Sequence, residues 1–262
     1  MRIFLLTDLE GIAGVDNIEQ MDQAKDTYRN TCELLEHSIN LAVAACYDSG
    51  AEQVYYMDGH GGRKTINVNP ENIDGRAIPC SSVEWQALLR EGKLDCQIEI
   101  GAHARAGTIG GFLDHTLNSS EIFGIKYNGM EMSELSLHAI LCAKYGVPIV
   151  AVVGDELACQ QARSYIPDIY TGAVKKASCR NRAETYPDAD QILVETVKKA
   201  LADYKNVSMI RFAEPAHIET TFYRTDFCEN VLSRTGPEVR RRDARTLEKT
   251  VAQIHRYADL KI

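Results

Sequence analysis

A short apolar strand that ends in two carboxylates constrains this chain more than any other feature. Ile3 to Thr7 is a run suited to burial on both faces, and it stops at Asp8-Leu9-Glu10-Gly11. Cys32, Leu35, Ile39, Val43 and Cys46 then recur at helical spacing until Ser49-Gly50, after which Gln53 to Met57 is a second strand. Strand, helix, strand in that order predicts a parallel sheet with a right-handed crossover. The alternation continues, with strands at Cys96 to Gly101 and Val147 to Val153, a helix at Leu135 to Tyr145 between them and another at Glu156 to Tyr165.

Beyond Pro167 the pattern changes. A helix carries Leu193, Val197, Leu201 and Tyr204, and a strand is expected near Ser208 to Phe212. An alternating stretch follows from His217 to Tyr223, and Leu247, Val251, Ile254 and Ala258 predict a final helix. The expected fold is α/β, a mostly parallel sheet flanked by helices over about residues 1–176, with a smaller C-terminal α+β lobe over about 177–262. A chain of 262 residues is long enough to bury a core in either part.

Charge and composition remove several functions. Lys and Arg number 29 against 37 Asp and Glu, and a net charge of −8 argues against a nucleic-acid partner. The local run Arg240-Arg241-Arg242 suits a solvated strand edge or an interface. The opening apolar run is too short for a signal peptide, and nothing later reaches membrane-spanning length. Eight cysteines without a Cys-x-x-Cys pair fit neither a disulfide framework nor a thiolate zinc site, so the expectation is a reducing cytoplasm, with no membrane partner.

In an open parallel sheet the ligand crevice lies at the carboxyl ends of the strands. Four polar places stand there or at a helix start: Asp8 and Glu10, Asp58-Gly59-His60-Gly61-Gly62, His103-Ala104-Arg105, and Glu134. Three carboxylates and two imidazoles suit Zn²⁺, Mn²⁺ or Co²⁺ in a two-metal hydrolase. Asp8 and Glu10 alternate with Leu9, so on a regular strand they would share a face. Taken singly, Asp8 fits a turn cap and His60 a solvated loop; their convergence at several strand ends favours metal ligation. Asp58 is expected to orient an imidazole from behind. The stretch Gly107 to His115 suits a lid that ends in a proton-transfer residue, with Asp114 beside His115 in support. Arg105 offers forked donors for a substrate carboxylate or an oxyanion. His37, His138, His217 and His255 lack convergent partners and are expected to be structural. A phosphoesterase would need more basic groups than Arg105 and Arg63.

Taken in order, these segments resemble the zinc D-aminopeptidases of the dipeptide-transport operon type. The resemblance runs from Thr7-Asp8-Leu9-Glu10-Gly11-Ile12 through Asp58-Gly59-His60, Gly101-Ala102-His103-Ala104-Arg105-Ala106-Gly107-Thr108, Leu113-Asp114-His115-Thr116 and Ser133-Glu134-Leu135 to Gly146-Val147-Pro148 and Gly154-Asp155. It implies a dinuclear zinc site held by Asp8, Glu10, His60, His103 and Glu134, with His115 as the essential nucleophile or acid–base group. It further implies hydrolysis of the N-terminal amide bond of small peptides, D-amino acid peptides above all, in a ring-like homo-oligomer of decamer type. The alternatives are a dinuclear amidase or deacetylase on another small amide, or a catalytically silent metal-binding scaffold.

Overall fold

The computed structural model describes residues 1–61 and 66–262. Gly62 and Arg63, weighed above in the glycine cluster and as a phosphate contact, lie outside the described residues. In chain order the first elements are β1 (Arg2–Thr7), α1 (Tyr28–Asp48), β2 (Gln53–Asp58), β3 (Ala77–Pro79), α2 (Ser82–Arg90), β4 (Cys96–Ala102), β5 (Ile122–Tyr127) and β6 (Met130–Glu131). Then come α3 (Glu134–Lys144), β7 (Ile149–Asp155), α4 (Glu156–Tyr165), β8 (Tyr170–Cys179), β9 (Arg182–Thr185), α5 (Ala189–Ala202), β10 (Ala216–Phe222), α6 (Thr225–Leu232), β11 (Val239–Arg241) and β12 (Thr246–Val251).

A seven-stranded sheet in the order β3-β2-β1-β4-β7-β8-β9 forms the body, parallel except for the β8–β9 hairpin. Ile3, Phe4 and Leu5 are fully buried, as a strand covered on both faces requires. From β1 the chain crosses to β2 on one side, then returns past β1 to β4 on the other. Right-handed crossovers in opposite directions put the connecting helices on opposite faces. Accordingly α1 and α5 pack together, while Trp85 of α2 stands edge-on to His138 of α3. The reversal between β1 and β4 is a topological switch point, where an open α/β sheet offers its crevice.

The second sheet is antiparallel, in the order β11-β12-β10-β5-β6. Its central β10 alternates buried and partly exposed residues, as expected for His217 to Tyr223. Arg240 and Arg241 lie on β11, the outer strand, and Arg241 pairs with Glu229 at 2.7 Å.

Three expectations change. The boundary near residue 176 falls inside β8, and β9 and α5 belong with the parallel sheet; conversely the early β5–β6 hairpin joins the antiparallel one. The final helix is instead strand β12 followed by a short 3-10 turn at Tyr257–Leu260. Leu247 and Val251 mimic helical spacing, but Thr246, Thr250 and Val251 are β-branched and β12 is paired on both sides. Ser208 to Phe212 joins no ladder; Ser208 is held by side-chain bonds instead, its N–H and hydroxyl donating to Asp168 at 3.1 and 2.6 Å.

At the switch point the backbones of β1 and β4 nearly touch. The Gly11 N–H donates to Gly101 O at 2.8 Å, and a Cβ on Gly11 would sit 2.2 Å from Ala102 O. Gly101, at φ +84°, would place a Cβ 1.9 Å from Asp8 O. Only glycine allows this approach, and it draws the segments after β1 and β4 against each other.

Candidate metal centre

Apart from His115, the candidate donors stand at or just beyond the ends of regular elements. Asp8 follows β1 directly, its N–H donating to Ile100 O at 2.8 Å, and its Oδ1 accepts from Leu9 N at 2.9 Å. The strand has therefore already ended, and a turn, not the alternation of a strand, brings Asp8 and Glu10 to the same place. His60 Nδ1 lies 2.9 Å from Glu10 Oε2 and 3.5 Å from Asp8 Oδ1. His103 Nε2 lies 3.2 Å from Asp8 Oδ2 and 3.5 Å from Glu134 Oε1. Glu134 opens α3 behind the Ser133 N-cap, and its Oε1 accepts from Leu117 N at 2.8 Å.

His115 belongs to the same cluster. Its ring stacks on that of His103, centroids 4.0 Å apart and 7° from parallel, and its Nε2 is 3.6 Å from Glu134 Oε1 and 3.9 Å from Glu10 Oε1. Both imidazoles have Nδ1 facing a backbone carbonyl: His103 toward Ala104 O at 3.0 Å, His115 toward Leu113 O at 2.8 Å. With Nδ1–H donating there, each Nε2 is left to face the carboxylate cluster, the orientation usual for a ligating histidine. Leu113 (φ 48°) and Leu117 (φ 67°) bracket His115 in the left-handed region, strain of the kind that collects at functional sites.

The chemistry of the donor set fits a cation. His103 Nε2 is buried and makes no hydrogen bond among the described residues, despite its nearness to two carboxylates. Two overlapping triads, His103-His115-Glu134 and Asp8-Glu10-His103, bring donor atoms within 4.8 Å of one another. Burial opposes charge throughout, yet the Glu10 and Asp8 carboxylates raise His60 to about 11, and Asp8 and Glu134 raise His103 well above the usual imidazole range. Reciprocally, against burial, His103 holds Glu134 down to about 2, and His103 with His60 holds Asp8 well below the carboxylate range. Protons on these imidazoles supply the positive charge that a metal would supply in their place.

The expected supporting residues act on loops. Asp58 accepts from His60 N at 3.0 Å and from Asn67 Nδ2 at 2.8 Å, so it shapes the His60 turn through the backbone. Asp114 accepts from Gly107 N at 2.9 Å and pairs with Arg180 at 3.2 Å, which ties the Gly107–His115 stretch to the β8–β9 turn. Arg105 is not brought to the centre: its guanidinium donates to Ala106 O at 3.1 Å and it does not line the cavity.

That cavity, about 700 Å³, opens beside the donors and has further walls that the sequence did not single out. Glu99, on β4, meets His138 at 3.0 Å, so this histidine has a partner after all. The signal was a carboxylate in the middle of an otherwise buried strand. Lys175 of β8, fully buried, donates to Glu10 O at 2.8 Å and to Val15 O; burial pushes its ammonium down to about 7. It anchors the Glu10 turn from below.

A switch-point crevice on which three carboxylates and three imidazoles converge is the architecture of a metallohydrolase. Comparison narrows the class: the D-aminopeptidase family of peptidases matches residues 1–260, and the chain belongs to that family. It is 30% identical over 210 residues to a D-aminopeptidase of Bacillus subtilis (strain 168), covering 77% of this chain and 73% of the relative. Its fold is similar to that of the solved Zn-dependent D-aminopeptidase DppA from Bacillus subtilis, described as a self-compartmentalizing protease. The TM-score is 0.89 at 22% identity, over 99% of this chain and 95% of the other.

Proposed function

We propose that this chain is a zinc-dependent D-aminopeptidase that releases the N-terminal residue of small peptides. Asp8, Glu10, His60, His103 and Glu134 hold two ions per subunit, for which Mn²⁺ or Co²⁺ can substitute, and His115 is the catalytic residue. The observation that carries this reading is the convergence of donors from distant parts of the chain on the buried Nε2 of His103, which has no hydrogen-bond partner among the described residues. When bound, the metal supplies Lewis acidity, which lowers the pKa of water and polarises the scissile carbonyl.

The chain's own groups do the rest. Leu117 N–H donates to Glu134 Oε1, the oxygen that His103 Nε2 and His115 Nε2 also approach, and so holds the carboxylate against the two imidazoles. His115, its Nδ1–H committed to Leu113 O, carries a proton on Nε2 and delivers it to the departing amine. A His115→Ala variant is expected to keep its metal and lose turnover by about a hundredfold or more. Loss of metal from that variant would make His115 a ligand, in keeping with its place in one of the triads.

The test of the whole reading is metal analysis of the purified chain together with release of amino acid from paired D- and L-alanyl dipeptides. Two metals with D-selective turnover support it. Two metals without peptide turnover favour an amidase or deacetylase acting on another amide, or a silent scaffold, and no metal overturns it. Affinity for zinc is expected to rise with pH, because the cation must displace the proton that Glu10 and Asp8 hold on His60 up to about 11. Each displaced proton contributes about tenfold per pH unit, and a flat competition titration would contradict it.

The protein is further proposed to work as a ring-like homo-oligomer of decamer type in the cytoplasm. In support, the similar solved structure is described as self-compartmentalizing, no helix among the described residues is long and apolar enough to cross a membrane, and the eight cysteines are all free.

A further inference from the structure

The segment that follows β12 is fastened to the body at every step. Ile254 N–H donates to Glu214 Oε1 at 2.7 Å, and the Tyr145 hydroxyl donates to His255 O at 2.7 Å. Tyr257 N–H donates to Gln86 Oε1 at 2.9 Å. The Lys249 ammonium holds Ala258 O at 3.1 Å and Lys261 O at 2.7 Å, while Ile254 and Leu260 are fully buried. Two side chains are thereby set into the wall of the cavity that contains the metal centre, Tyr257 and Lys261.

Neither polar group has a hydrogen-bond partner among the described residues. The Tyr257 ring is packed against His138, centroids 5.1 Å apart, and against Trp85 at 5.9 Å, yet its hydroxyl is buried with no hydrogen-bond partner among the described residues. Lys261 is the one Lys or Arg among the described residues lining the cavity, which otherwise carries Asp8, Glu10, Asp58, Glu99 and Glu134 as charged acids. Its Nζ lies 4.9 Å from the Tyr257 ring centroid. Burial lowers its pKa, and the charge that opposes this is Glu134.

A cation and an unpaired hydroxyl side by side in the wall of a peptide-sized cavity call for an anion that is part of the substrate. In a dipeptide whose amide lies at the metal centre, that anion is the free carboxylate, one residue or about 3.5 Å of chain beyond the scissile bond. A C-terminal amide would offer no charge to this cation.

We propose that Lys261, with the Tyr257 hydroxyl as a second donor, binds the free carboxylate of a dipeptide and makes this enzyme prefer the free acid over the C-terminal amide. The proposal rests on the aminopeptidase reading, so its test includes binding as well as turnover. Zinc-loaded wild type, Lys261→Met and Lys261→Arg are compared by calorimetric titration with D-alanyl-D-alanine and with its C-terminal amide, and by kinetics on the same pair. Wild type is expected to prefer the free acid, and Lys261→Met to lose about 10- to 100-fold in affinity for it, chiefly as a rise in KM, with the amide changed by no more than about threefold. Lys261→Arg should recover most of the preference.

Equal affinity of the wild type for acid and amide, or an equal loss for both in Lys261→Met, would overturn the proposal. Preference for the acid without turnover of either compound would support the carboxylate site while sinking the aminopeptidase reading, so the two fail separately.

Discussion

Replacing His103 with alanine is expected to strip the protein of metal and to lower kcat/KM by more than about a thousandfold, beyond the 10- to 100-fold typical of losing an orienting partner. His103 is the donor shared by both triads, and its Nε2 is the atom that both Asp8 and Glu134 approach. Its removal also uncovers like charges: Asp8 and Glu134 would face each other across a buried space with no imidazole between them. Asp58→Asn is the comparison, since Asp58 touches His60 only through the backbone N–H and an amide oxygen can still accept that bond. That variant should lose about tenfold at most and keep its metal. Metal analysis alongside turnover decides the matter; full metal content in the His103 variant would mean that the donors have been misassigned.

Gly101→Ala is expected to destabilise the fold by about 3–5 kcal/mol, or to prevent folding altogether, through backbone geometry alone. The new methyl would lie 1.9 Å from Asp8 O and 2.8 Å from Ile12 Cδ1, so β1 and β4 would have to part where Asp8 leaves the sheet. A left-handed backbone position by itself costs an L-residue only about 1–2 kcal/mol. Gly50→Ala isolates that smaller cost, because Gly50 has φ +85° with nothing within 4 Å of the added methyl. Denaturant midpoints of the two variants should differ by the cost of the close approach. If the two variants lose the same stability, strain accounts for everything and contact for nothing.

Much of the parallel sheet was legible because its strands are buried on both faces and its helices carry continuous stripes. Ile3 to Thr7, Cys32 to Cys46 and Gln53 to Met57 all lie within the observed elements. The residues that converge were legible for a related reason: Asp8, His60 and His103 each stand one or two residues beyond a strand, where an open sheet exposes its ends. Chain order could not reveal which elements close the cavity from above. Tyr257 and Lys261 reach it only because β12 pairs with β10 and Lys249 holds the following carbonyls. Periodicity misassigned that very segment as helix, since four apolar residues at helical spacing also fit a strand plus a turn. His138 looked idle because its partner Glu99 is 39 positions away on another element. Sequence spacing reports on neighbours along one element, whereas the pocket is a meeting of several.

The cavity is bounded by parts that belong to different sheets. Its donors hang from the ends of the parallel strands, where glycine contacts leave almost no room for backbone change. The wall bearing Tyr257 and Lys261 is an extension of the antiparallel sheet, held through side chains and surface bonds. Reaction and selectivity can therefore diverge at different speeds: descendants of such a chain can exchange what they accept by rewriting the short segment after β12, while the apparatus that cuts is inherited unchanged.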